Sequence, residues 1–165
     1  MATGLGRFDD DDVALAPDET ATFLPLITAL GTTLGTIVIH ALAVIAVVHF
    51  IRFEGKLQRA GVRFWRDVVI ISGVTLIALA AHLVEMLVWA VVFVACGEFH
   101  GLAEAFYSSA VAYTSLGLGD TVMSGSWKLL APLETASGML LFGVSTAMIF
   151  TVCLQLVQTR LRISH

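Results

Sequence analysis

The sequence predicts an all-α membrane protein with three transmembrane helices and a short re-entrant helix and loop between the second and third. Three observations lead there. Of the 165 residues, 58% are hydrophobic and only 13% charged, whereas soluble domains carry roughly 25% charged residues. Three apolar stretches, 23–51, 68–95 and 129–157, each reach the roughly 20 residues a bilayer requires. The loop before the third holds Thr114-Ser115-Leu116-Gly117-Leu118-Gly119-Asp120, a glycine-alternating run in otherwise apolar surroundings.

The elements follow in order. Residues 1–22 form an acidic tail with Asp9, Asp10, Asp11, Asp12, Asp18 and Glu19; being short, polar and charged, it is expected to be solvated. It lacks the basic start of a cleavable signal, so the first helix, 23–51, reads as an uncleaved anchor. The link 52–67 collects Arg52, Lys56, Arg59, Arg63 and Arg66, and the tail 159–165 carries Arg160 and Arg162. Basic residues stay on the cytoplasmic side, which puts the N-terminus outside and the C-terminus in the cytoplasm of a multi-pass protein in the plasma (cell inner) membrane. An odd number of spans puts the two termini on opposite sides, in agreement with that charge pattern. The basic link is explained by topology and anionic lipid headgroups, so no nucleic acid is expected as a partner. Trp65 and Trp127 flank spans as interfacial anchors, and Trp89, deeper, is expected to pack against a neighbour. Cys96 and Cys153 fall at opposite depths, too far apart to be bridged.

The outer helix, 68–95, leads to a loop too long for a turn. Residues 101–113 form a helix of about 20 Å at 1.5 Å per residue, too short to cross a bilayer and suited to re-entry. Residues 114–120 follow as extended backbone. Glycine tolerates angles that a side chain forbids, so consecutive carbonyls can point the same way. Several such strands around one axis would make rings of oxygens that replace the hydration shell of a monovalent cation. Unpaired backbone at membrane depth is tolerated only where protein or water lines it, so a homotetramer is expected. The segment reads as an ion selectivity filter.

At this point residues 68–158 resemble the potassium-channel pore module: outer helix 68–95, pore helix 101–113, filter 114–120 and inner helix 128–158. TSLGLGD stands where family members have TTVGYGD, and the GLG form is similar to the second filter of some two-pore-domain potassium channels. The resemblance implies that Thr114, Ser115, Leu116, Gly117, Leu118 and Gly119 hold K+, with Asp120 at the outer mouth. Leu118 replaces the usual tyrosine and its bracing hydroxyl, so a weakly selective monovalent cation pore, passing Na+ as well, stands as the second reading. Val111 occupies the place of a pore-helix glutamate that pairs with the outer aspartate in one such channel. Lys128 matches a basic residue opening the inner helix, and Gly138 matches the gating-hinge glycine. Met139, Phe142, Thr146, Phe150 and Leu154 recur on one face with it and are expected to line the cavity, Phe150 and Leu154 narrowing its inner end.

His82 and Glu85 share a face of the outer helix. A carboxylate at membrane depth costs about 2.5–3.5 kcal/mol on insertion scales, so Glu85 needs a partner or must be neutral. Support of the filter through His82 and Tyr113 is the favoured role, and a membrane-embedded metal- or proton-coupled protein centred on His82 and Glu85 is the alternative from another class. A third is a non-conducting subunit that modulates another channel. His40 reads as a packed, hydrogen-bonded histidine. The chain has no nucleophile elbow, phosphate loop or hydrolase metal spacing, so no enzyme, organic cofactor or soluble substrate is expected. No span carries the arginine ladder of a voltage sensor. The expected ligands are K+ ions and the expected partners are membrane lipids and identical subunits.

Overall fold

The computed structural model describes residues 19–56, 63–117, 123–125 and 127–163. Four helices carry the chain there: α1 (Glu19–Lys56), α2 (Arg63–Ala95), α3 (Leu102–Tyr113) and α4 (Leu130–Ile163). Three of them contain segments long and apolar enough to cross a membrane, Phe23–Phe53, Phe64–Ala95 and Leu130–Thr159. The described residues are all-helical in their regular structure, consistent with a membrane protein. The acidic run Asp9 to Asp18, the middle of the basic link and Leu118, Gly119 and Asp120 lie outside the described residues.

The helices outlast the apolar stretches that predicted them. α1 runs to Lys56 and α2 begins at Arg63, because arginine and lysine are good helix formers and backbone hydrogen bonding does not stop where hydrocarbon does. α3 has 12 residues and so extends only about 18 Å.

α2 is the centre of the fold, in contact with α1, α3 and α4, while α1 lies against α2 and α4. One apolar cluster joins Trp89 and Phe93 of α2 to Ala105 and Tyr113 of α3 and Leu130 of α4. Trp89 is fully buried with its ring 6.1 Å from that of Phe93, the packing role expected of it. A second cluster, Val47, Ile70, Val74 and Val152, ties α1, α2 and α4 nearer the basic link. Gly73 permits that approach: a Cβ there would stand 2.4 Å from the Phe50 ring. Along α1, Ile27, Leu30, Val38 and Leu42 are exposed, as suits a helix bathed in hydrocarbon.

Candidate pore loop and the buried junction behind it

α3 begins after Gly101, with Glu104 in its first turn, where a carboxylate complements the helix dipole. Ala105, Ser108, Ser109 and Tyr113 make its buried face, at the spacing that puts residues on one side of a helix. Polar contacts fix that face to both neighbours. The Ser109 hydroxyl lies 2.8 Å from the Met86 carbonyl oxygen on α2 and 2.5 Å from Glu134 Oε1 on α4. One hydroxyl hydrogen cannot serve both acceptors, so the trio is complete only with a hydrogen on the buried Glu134. Thr135 on α4 donates to the Ala112 carbonyl at 2.7 Å. Both Glu134 and Ser109 went unread in the sequence, although a lone acid inside an apolar span is itself a signal.

The predicted extended backbone does not begin at once after the helix. Ser115 N–H donates to the Ala112 carbonyl and Leu116 N–H to the Val111 carbonyl, each at 3.0 Å. This is the paired closure that satisfies the orphan carbonyls of a helix end, with the residue after the cap in the left-handed region. Here that residue is Ser115, at φ 60°, and Gly117 follows at φ 57°. Left-handed residues thus alternate with Leu116 between them. A left-handed angle costs a non-glycine residue roughly 1–2 kcal/mol. Ser115→Gly is expected to raise stability by up to about 1 kcal/mol, read as a higher melting temperature, while removing the hydroxyl.

Beyond the filter sequence the chain is tied back to the end of α2. Ser124 N–H donates to Glu98 Oε2 at 2.7 Å, and the Ser124 hydroxyl donates to Glu98 Oε1. One carboxylate thereby fixes both ends of the loop, a role with no local signature across 26 residues.

Behind Tyr113 the helices meet in a buried polar junction. Glu85 Oε1 lies 2.9 Å from His40 Nδ1 of α1, and Glu85 Oε2 lies 3.1 Å from His82 Nδ1. The Tyr113 hydroxyl donates to Glu85 Oε2 and lies 3.0 Å from His82 Nδ1. The far nitrogens of both imidazoles meet one hydroxyl, Ser145 Oγ of α4, at 3.0 Å for His82 Nε2 and 3.2 Å for His40 Nε2. His40, His82 and Glu85 are no more than 3% exposed, and Tyr113 is fully buried. The expected partners of Glu85, His82 and Tyr113, are both present. His40 and Ser145 join them unforeseen, each contributed by another helix.

Gly138 faces this junction across α4. A Cβ there would stand 2.5 Å from the Tyr113 carbonyl oxygen and 3.1 Å from its ring, so close approach of α3 and α4 requires glycine, whatever else it does. Of the expected cavity-lining residues, Met139, Thr146, Phe150 and Leu154 are exposed along α4. Phe142 is exposed as well, and its ring centre is 4.2 Å from that of His82 and 5.4 Å from that of Tyr113, so one of its faces closes the junction.

No curated protein and no solved structure matches the chain. Residues 81–155, from the α2 segment bearing His82 and Glu85 through the pore loop to most of α4, match the family model described as ion channel, which supports an ion channel.

Proposed function

We propose that the chain is the pore-forming subunit of a homotetrameric, potassium-selective channel that conducts passively through a backbone-carbonyl filter. The observation that carries this is the backbone of Ser115, Leu116 and Gly117, left-handed at its first and third residues and set on the end of a short, buried helix. Alternation of left- and right-handed angles turns successive carbonyls to one side, which four-fold repetition would convert into stacked oxygen rings. On this reading α3 is the re-entrant pore helix and Leu118, Gly119 and Asp120 complete the filter and its outer mouth. The Tyr113–Glu85 contact supplies from behind the phenol brace that Leu118 omits. Met139, Phe142, Thr146, Phe150 and Leu154 line the cavity, the N-terminus lies outside, and the C-terminus lies in the cytoplasm beneath the plasma membrane.

The test is the reversal potential of the purified protein in planar bilayers with K+ on one side and Na+ on the other. A value near the potassium equilibrium potential is expected. A clear current reversing near zero would replace it with a weakly selective cation pore.

A further inference from the structure

We infer that the junction of His40, Glu85, His82 and Ser145 is a proton-binding site, a ring that closes only when it holds one proton more than a carboxylate and two neutral imidazoles. Its link to ion flow rests on the filter reading of residues 114–117; the site itself does not.

The ring has four contacts: Glu85 to His40, His40 to Ser145, Ser145 to His82, and His82 to Glu85. Each needs one hydrogen between its two heavy atoms. The Ser145 hydroxyl supplies one and each neutral imidazole supplies one, while the Tyr113 hydrogen is already given to Glu85 Oε2 in a contact outside the ring. The fourth must be added from water, as an imidazolium N–H or as the acid hydrogen of Glu85. No other bond forms or breaks, and the closed ring is electrically neutral, as a site enclosed by apolar helices favours. Without that proton, two lone pairs face each other at one contact. With a second one, two hydrogens do. Each failure leaves a buried polar group unpaired.

The geometry suits a proton better than a metal. His40, His82 and Glu85 offer ligand atoms within 4.8 Å of one another. However, the two imidazoles approach different carboxylate oxygens, and their other nitrogens converge on Ser145. A metal ion needs donors aimed at one point. Here they are aimed at one another.

Titratable groups facing the ring are few. α1 contributes His40, α2 contributes His82 and Glu85 themselves, α3 contributes Tyr113, and α4 contributes Glu134, which is bound to Ser109 of α3. Among the described residues no lysine or arginine is paired with Glu85. The ring is also the polar link from α1 to Tyr113, at the base of the proposed filter. Proton occupancy then sets how firmly α1, α2 and α4 hold Tyr113, and with it Ser115 two residues on.

The distinguishing variant is Ser145→Ala, which removes no titratable group. It deletes two contacts and one hydrogen, so the remaining pair of contacts is complete with a carboxylate and two neutral imidazoles. The measurement uses full-length protein in lipid nanodiscs at neutral pH. Nitrogen NMR of labelled histidine, assigned through His40→Gln and His82→Gln, counts imidazolium; infrared difference against Glu85→Gln counts the Glu85 acid. Wild type is expected to hold one proton in total over the three groups, Ser145→Thr one, and Ser145→Ala none. A wild-type total of zero, or equal totals in wild type and Ser145→Ala, overturns the proposal. So does stoichiometric Zn2+ uptake abolished by His40→Gln. The wild-type count decides even if Ser145→Ala fails to fold. The coupling is read separately, by a reversal potential that shifts with pH in wild type and not in Ser145→Ala. A ring that holds its proton while the reversal potential stays fixed overturns the coupling alone, and a non-conducting protein whose ring holds one proton overturns the filter reading alone.

Discussion

Gly138→Ala is expected to be among the most damaging single-methyl changes in this protein. The added Cβ would lie 2.5 Å from the Tyr113 carbonyl oxygen, and a backbone atom cannot swing aside as a side-chain end can. α4 must move from α3 by about 1 Å, opening contacts along the helix pair, a strain of about 1–3 kcal/mol or more by the measure of overpacked cores. Thermal unfolding in nanodiscs should show that loss. Gly143→Ala is the control, since nothing stands within 4 Å of its Cβ; alanine there should be neutral or gain up to about 1 kcal/mol from helix propensity. The contrast also separates two roles for Gly138. A glycine needed only as a hinge would tolerate alanine in stability and change only gating; a glycine needed for close approach would not. Equal melting temperatures for Gly138→Ala and wild type would discard the packing account.

The reach of the sequence follows from the range of the interactions. Hydrocarbon length is written into consecutive residues, so the three spans were legible to within a few residues, and so was the short helix before Thr114. Local capping was legible only in part. The turn that closes α3 usually advertises itself by glycine, and here the left-handed residue is Ser115, which carries no such mark. Long-range pairing was the least legible. Glu85 announced that it needed partners, because a buried carboxylate must have them, and His82 was near enough in sequence to be named. His40 is 45 residues away and Ser145 is 63 residues from His82; nothing in one chain says which of several apolar-span polar groups will meet. Glu134 is a different case, legible in principle by the same argument that found Glu85. The family match begins at residue 81 and so leaves out α1, the helix that supplies His40.

Glu85→Leu and Glu85→Gln should differ far more than their similar sizes suggest. Leucine removes the acceptor on which His40, His82 and Tyr113 converge, leaving His40 Nδ1 without a partner and Tyr113 and His82 with only each other. Breaking a buried, charged network from one side costs about 3–5 kcal/mol, so this variant should unfold at much lower temperature or fail to assemble. Glutamine behaves otherwise because an amide carries its own hydrogens. Its N–H can donate to His40 Nδ1, His40 Nε2–H to Ser145, the Ser145 hydroxyl to His82 Nε2, and His82 Nδ1–H to the amide oxygen. All four contacts are then filled with both imidazoles neutral and no added proton. Glu85→Gln is therefore an imitation of the proton-bound ring and should keep stability within about 1 kcal/mol of wild type, the scale of one neutral hydrogen bond. It should also hold Tyr113 in place at any pH, so the reversal potential should match wild type near neutrality and lose its dependence on pH. A Glu85→Gln protein as unstable as Glu85→Leu would mean that the negative charge, rather than the closed set of hydrogen bonds, holds the four helices together.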